Sequence, residues 1–375
     1  MSQTGLTTMN VKIINKNKVY NYIYEQKTTS KYQIVQNLQM GLSTVGQNLK
    51  ELEEEGLIER KGTFESTGGR KAQMIQIIPT ARIAIGIGIL KDMIHMVAID
   101  LYGEVLHQTT VSCSYSQEES YYQYLGKLLT DFISENSLPE ERILGVSIAA
   151  QGIISPDGRT VDYGVLMDNA DMKLSDFEKY IPWSCRLEHD SKAAAYLELW
   201  NHKDLKNAVL FLLNRNLGGA IISEGKVLTG NHMKSGTLEH LCMNPDGPLC
   251  YCGNRGCLET YCSAHSLEKA AGMSLESFFT AVHESESAQQ LWTDYLEHLA
   301  FAIRNLSILI DGAVILNGYL APYICEDDIT FLLSQINPFT PFPLSREQII
   351  VGTQGQYAPA IGSALYDVNE FIKNI

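Results

Sequence analysis

Along residues 11–26 the apolar positions Val11, Ile14, Val19 and Ile23 recur at helical spacing, which predicts a first helix. Ser30 then reads as the N-cap of a short second helix that turns Ile34, Val35 and Leu38 inward. Gly41 is expected to end it. Ser43 is expected to cap a third helix, whose Val45, Leu49 and Leu52 form one apolar stripe. The polar face of that helix then presents Thr44, Gly46, Gln47, Asn48 and Lys50. Two β-prone runs, 57–61 and 72–78, flank a Gly/Ser/Thr-rich loop ending in Gly68-Gly69-Arg70-Lys71, the pattern of a hairpin. Pro79 breaks the chain, and the first domain boundary is placed there, giving residues 1–79.

From Arg82 the pattern changes to apolar runs of strand length alternating with amphipathic helices, the mark of an α/β fold. IAIGIGIL, MIHMVAID and GEVLHQTTVS read as a meander with a turn over residues 100–103. A helix follows at about 120–134, then the buried strand ILGVSIAA, the core strand NAVLFLLN, a long helix at about 288–310 and the strand GAVILNG.

Composition sets bounds on this picture. A chain of 375 residues, 45% hydrophobic and 19% charged, has room for two or three globular domains. No run reaches the ~18 apolar residues of a membrane span. The first twelve residues carry no signal-peptide core. Eight cysteines with three of them clustered fit a reducing compartment, so the protein is expected in the cytoplasm with no membrane partner. The net charge of −14 is unevenly spread: residues 1–80 hold ten Lys and Arg against seven Glu and no Asp, whereas the rest is strongly acidic. A basic module on an acidic body points to DNA as the partner of the N-terminal part alone.

Helix, short turn, helix and hairpin make a winged helix-turn-helix. Ser43, Thr44, Gln47, Asn48 and Lys50 would reach base edges of double-stranded operator DNA, Arg70 a narrow minor groove, and Lys71 a phosphate. A second constellation lies at HLCMNPDGPLCYCGNRGC, where His240, Cys250, Cys252 and Cys257 offer one imidazole and three thiolates. Four such ligands supply the closed tetrahedral shell of structural Zn2+. Gly253 and Gly256 let so short a loop fold back on one ion. Cys113, Cys185, Cys242, Cys262 and Cys325 are expected to fill core space, with Cys242 or Cys262 near enough in sequence to compete for the metal.

STVGQNLKELEEEGLIERKG with STGGRK resembles the DNA-binding domain of repressors of the ROK family (repressor, open reading frame, kinase), and the cysteine-rich knuckle resembles that family's body. The resemblance implies a two-lobed, actin-like sugar-kinase fold after the winged helix-turn-helix, with lobes at 80–195 and 196–375 and a last helix that packs back on the first lobe. It also implies that three nucleotide elements are altered: Gly88 with Leu90-Lys91-Asp92, then Asn214-Arg215-Asn216-Leu217-Gly218, then Asn317-Gly318. Phosphoryl transfer depends on holding phosphates and Mg2+ there, so no catalytic residue and no kinase activity are expected.

The sugar side of the resemblance is better kept. Asp190 matches the family's catalytic base, His240 a residue that both binds zinc and touches sugar, and Glu259 a sugar-binding carboxylate. Asn169 falls where a sugar-contacting Asn is often found. His189 and Thr237 replace an Asn and a Glu of the pattern. The expectation is a DNA-binding repressor, a homodimer or homotetramer, whose body senses a sugar or sugar phosphate. Two alternatives stand beside it: a residual sugar kinase fused to a DNA-binding domain, and a ligand-independent DNA-binding oligomerisation scaffold.

Overall fold

The computed structural model describes residues 8–65 and 71–375. The N-terminal module consists of α1 (Thr8–Gln26), the short strand β1 (Thr28–Thr29), α2 (Lys31–Leu38), α3 (Leu42–Glu54), and the hairpin β2 (Ile58–Thr63) and β3 (Gln73–Ile77). β1 completes a three-stranded sheet of order β1-β3-β2, the winged helix-turn-helix arrangement. Ser30 caps α2 in a full capping box with Gln33, as its sequence signature requires.

The turn between the two helices differs from expectation. Gln39, at φ 52°, ends α2, while Gly41 serves as N-cap of α3 without a side-chain bond. Ser43 therefore lies inside the first turn. The helical phase also corrects Asn48, which sits three residues after Val45 and four before Leu52. It shares their face and is buried at 3% exposure, so it is not presented to a DNA groove. Ser43, Gln47 and Lys50 are exposed and Thr44 is half-buried. Lys71 is exposed beside the wing, and Arg70 lies outside the described residues.

The body holds two five-stranded sheets of the same topology. In the first lobe β4 (Ile83–Ile89), β5 (Met93–Ile99) and β6 (Val105–Ser112) form an antiparallel meander. β7 (Ile143–Ala150) pairs parallel to β4. After the small ribbon of β8 (Ile153–Ile154) and β9 (Val161–Tyr163), β10 (Cys185–His189) pairs parallel to β7. In the second lobe β11 (Ala208–Leu213), β12 (Leu217–Ser223) and β13 (Lys226–Val227) repeat the meander, and β14 (Ala313–Asn317) and β15 (Ile349–Val351) add in parallel.

The helices are α4 (Glu119–Glu135), α5 (Leu174–Glu178), α6 (Asp190–Asn201), α7 (Glu259–Cys262), α8 (Ala264–Ala271), α9 (Leu275–Ala281), α10 (Glu286–Leu309), α11 (Glu326–Ile336) and α12 (Ala358–Lys373). α12 lies on β4 and β7 of the first sheet, and α6 lies against the second. The two helices pack tightly on each other: a Cβ at Gly362 would come 1.8 Å from the Ala193 carbonyl oxygen. Tyr196 and Tyr366 stack with ring centroids 4.0 Å apart. α12 is thus packed on the first sheet, and α6 runs through positions 195 and 196.

The boundary at 79 coincides with a 3-10 turn, Pro79–Ala81, and that turn is fastened to the body. The Leu101 N–H donates to the Pro79 carbonyl at 3.1 Å, and Arg142 donates to the Thr80 carbonyl at 3.3 Å. The module itself docks through α1: Asn17 Nδ2 donates to the carbonyls of Ile372 and Lys373, and Tyr20 meets Phe371 edge-on. Among the described residues no helix is long and apolar enough to cross a membrane.

Candidate functional site

A cavity of about 620 Å3 opens between the two lobes. The first lobe contributes Asn169, and His189 and Asp190 at the junction of β10 and α6. The second contributes Leu217 and Gly218 of β12, the loop from His232 to His240, and Tyr251 to Asn254. Gly236, at φ 86°, lets that loop lie on β12, where a Cβ would come 2.8 Å from the Ala220 Cα. It delivers Thr237, Glu239 and His240 to the cavity wall through the 3-10 turn Leu238–His240.

Asp190 opens α6. The N–H and hydroxyl of Ser191 donate to its Oδ1 at 2.6 and 3.0 Å, which leaves Oδ2 for a ligand. Burial pushes its carboxyl up to about 6, with the Ser191 bonds working against the rise. His189 accepts the Ser191 N–H at Nδ1, and burial, helped by Lys192, pushes its pKa down to about 3. It is a neutral ring with its proton on Nε2, a hydrogen-bond donor.

Asn169 is fully buried and donates through Nδ2 to the Gln151 carbonyl at 2.8 Å, while its Oδ1 has no partner among the described residues. The Thr237 hydroxyl donates to the Lys234 carbonyl at 3.0 Å.

Five of the six residues expected to bind sugar therefore line one cavity: Asn169, His189, Asp190, Thr237 and His240. Glu259 is the exception. Asn216 Nδ2 donates to one of its carboxylate oxygens at 2.8 Å and the Leu217 N–H to the other at 2.6 Å. Glue of this kind orders the loop ahead of β12, and Glu259 lines a neighbouring cavity of about 470 Å3 instead. The residue that its sequence reading missed is Glu239, one position before His240. Its Oε2 is closed to solvent and has no hydrogen-bond partner among the described residues. Burial first, then Asp190, Glu259 and Cys252, push its carboxyl up to about 8.

The neighbouring cavity is lined by Leu90, Lys91, Asp92, Arg215 and Asn216 among others. Behind it, the fully buried Asn317 donates through Nδ2 to Glu198 and accepts the Gly318 N–H, and Asn214 accepts the Tyr319 N–H at 2.8 Å. Side chains thus take up the Gly318 and Tyr319 amides.

His240, Cys250, Cys252 and Cys257 converge beside the larger cavity, their ligand atoms all within 4.8 Å of one another. Cys252 Sγ and Cys257 Sγ are 3.7 Å apart, and Cys250 Sγ and His240 Nδ1 4.0 Å. A tetrahedron with bonds of about 2.3 Å has edges of about 3.8 Å, so the donor set fits a zinc-sized ion. Gly256, at φ 67°, makes the fold-back possible, since a Cβ there would fall 1.6 Å from the Asn244 carbonyl oxygen. Cys242 and Cys325 are exposed rather than core-filling, Cys262 is buried, and neither Cys242 nor Cys262 joins the cluster.

The ROK family model matches residues 82–366. The chain belongs to the ROK family. Among its ROK relatives, a xylose repressor of Bacillus subtilis is 24% identical over 379 residues, covering 97% of each chain. The DNA-binding transcriptional dual regulator NagC of Escherichia coli is 26% identical over 265 residues, 69% of this chain and 64% of that protein. The alignment therefore spans less than two thirds of NagC.

Among solved structures, a ROK family transcriptional regulator described as a homolog of the E. coli MLC protein superposes with a TM-score of 0.71 at 20% identity, over 97% of this chain and 98% of that one. A ROK glucokinase from Streptomyces griseus, in complex with glucose and AMPPNP, reaches 0.66 at 20% identity over 76% of this chain and 98% of that one. The winged helix-turn-helix and the actin-like ROK body are thus one known architecture. The kinase likeness extends to the body alone.

Proposed function

We propose that the protein is a sugar-responsive transcriptional repressor, in which the winged helix binds operator DNA and the ROK body senses a sugar without phosphorylating it. The observation that carries this reading is one cavity lined by Asp190, His189, Asn169 and His240, and a winged helix packed on the same body through α12 and the residues that α6 contacts. Relatives named xylose repressor and N-acetylglucosamine repressor agree with it. Against phosphoryl transfer stand Leu90-Lys91-Asp92 and the loops whose amides are taken up by Asn317 and Asn214. The His and three Cys would hold structural Zn2+, fixing the tautomer and orientation of His240 at the cavity wall.

Coupling runs through α6. Its first residue, Asp190, stands in the cavity, and near its far end Trp200 Nε1 donates to the Tyr102 carbonyl at 2.9 Å. The Tyr102 ring stacks on Tyr24 of α1 at 4.7 Å, and the Tyr24 hydroxyl donates to the Leu101 carbonyl at 2.8 Å. α12 supplies a parallel route from Gly362, against α6, to Phe371 against Tyr20. A ligand that draws the lobes together shifts α6 and α12 and with them the seat of α1. A dimer would place two such modules at a fixed half-site spacing, which the shift changes.

The test is operator selection from random duplex DNA with the purified protein, followed by binding with a panel of sugars. One sugar that changes operator affinity at least fivefold, without ADP release from Mg·ATP, supports the reading. Turnover of ATP with a sugar overturns it. Arg70→Ala is expected to weaken operator binding and leave sugar binding unchanged.

A further inference from the structure

Cys242 follows His240 by two residues but stands outside the donor set, and it is exposed to solvent. The backbone fixes what it faces. The Met243 N–H donates to the Gly256 carbonyl at 2.7 Å, and the Leu258 N–H to the Leu241 carbonyl at 2.8 Å. Those bonds flank an antiparallel bridge in which Cys242 lies directly opposite Cys257. Since the bonds belong to the residues on either side, Cys242 and Cys257 form a non-hydrogen-bonded pair, with both side chains on one face of the ladder. The Cα atoms of such a pair are about 4.5 Å apart, within the roughly 4.4–6.8 Å that a disulfide spans.

The Cys242 Sγ rests 3.8 Å from the Arg255 carbonyl, a weak contact that rotation about the Cα–Cβ bond gives up at little cost. Cys325, the other exposed cysteine, precedes α11 and faces no cysteine across a bridge among the described residues. Access also separates the two members of the pair. Cys257 is 1% exposed, so an oxidant arriving from water meets Cys242 first. Accessible thiols beside a second thiol oxidise reversibly, and under reducing conditions such disulfides form transiently.

We propose that Cys242 is a redox-modification site: a peroxide couples it to Cys257 in a reversible disulfide, which withdraws one donor from the metal cluster. The inference goes beyond sugar sensing and rests on the reading of His240, Cys250, Cys252 and Cys257 as a zinc site. In the first step the Cys242 sulfur attacks the peroxide; an S–O bond forms, the O–O bond breaks and one water leaves. In the second the Cys257 sulfur attacks that oxidised sulfur; the S–S bond forms, the S–O bond breaks and a second water leaves. Two thiols thereby lose two electrons and two protons, which hydrogen peroxide takes up as two waters. A dithiol reverses the change by exchange. With Cys257 withdrawn, three donors remain where a structural site uses four, and His240 at the cavity wall loses its fixed orientation.

The experiment treats the full chain with hydrogen peroxide. Zinc release is read with a colorimetric chelator, disulfides by mass spectrometry of non-reduced peptides, and recovery after adding dithiothreitol and zinc. Wild type is compared with Cys242→Ser and with Cys325→Ser, which removes the other exposed thiol. Both variants are expected to carry wild-type zinc before oxidation, because neither cysteine belongs to the cluster. Wild type and Cys325→Ser are expected to release zinc as a Cys242–Cys257 peptide appears, and Cys242→Ser to need about tenfold more peroxide for the same release. Dithiothreitol with zinc is expected to restore the metal and the melting temperature. Equal release from wild type and Cys242→Ser overturns the proposal, as does a disulfide confined to Cys250, Cys252 and Cys257. If folded wild type carries no zinc before oxidation, the metal reading falls first and this inference with it. Sugar and operator binding are not among the readouts, so the repressor reading stands or falls separately.

Discussion

Trp200→Phe tests the coupling route directly, because it removes one donor and keeps an aromatic ring in place. The Nε1–H that reaches the Tyr102 carbonyl at 2.9 Å is the contact by which the end of α6 holds the residue stacked on Tyr24. A hydrogen bond of this kind contributes about 0.5–1.5 kcal/mol net. If it belongs to the path between cavity and operator, its loss reduces the coupling free energy by that amount, a factor of about two to ten in the effector's influence on operator affinity.

Fluorescence anisotropy on labelled operator, with and without saturating effector, gives the ratio of dissociation constants for each protein. Linkage requires the same loss in the reverse experiment, effector affinity with and without operator. Affinities for effector alone and the metal content should match wild type, since Trp200 touches neither the cavity nor the cluster. An unchanged ratio in Trp200→Phe would refute the route through α6 and leave α12 to carry the signal.

Cys250→Ser should abolish stoichiometric zinc, read by atomic absorption of the purified protein. The melting temperature should fall with it, because a metal bound only by the folded chain adds its binding free energy to folding; full zinc content in the variant contradicts the proposed ligand set. Gly256→Ala places a methyl 1.6 Å from the Asn244 carbonyl oxygen at a positive φ, and a loss of several kcal/mol with reduced zinc retention is expected. A stable, zinc-replete Gly256→Ala would show that the knuckle relaxes freely.

Glu198, buried with its carboxyl pushed up to about 7, makes a pH prediction. The folded state binds a proton there that the unfolded chain has released above its ordinary value of 4.5, so the stability this group contributes is present at low pH and lost as pH rises toward 7. Glu198→Gln keeps an acceptor for Asn317 and has no proton to lose. Chemical denaturation should find the variant gaining on wild type as pH rises from 5 to 8, by on the order of 2–3 kcal/mol; a constant difference across that range excludes the mechanism.

Local patterns alone determined much of this protein. The capping box at Ser30, the stripe Val45, Leu49 and Leu52, and the alternation of apolar runs from Ile83 each lie within a few residues of what they act upon, and the His and three Cys that could hold a metal fall within residues 240–257. Their chemistry is written in short-range spacing. The phase of α3 was harder. Asn48 is polar, yet its angular position puts it with Leu52, and only the packed helix reveals that.

Tertiary structure alone decided which carboxylate serves the cavity. Glu239 and Glu259 are the same acid on either side of the cysteines in sequence, but the loop on β12 carries one to the cavity wall while Asn216 and Leu217 claim the other. The union of Asn17 with Ile372, 355 residues apart, and of Trp200 with Tyr102, 98 apart, likewise depends on how lobes and helices pack. Hydrophobic burial fixes those neighbours collectively, and no window of sequence contains both partners.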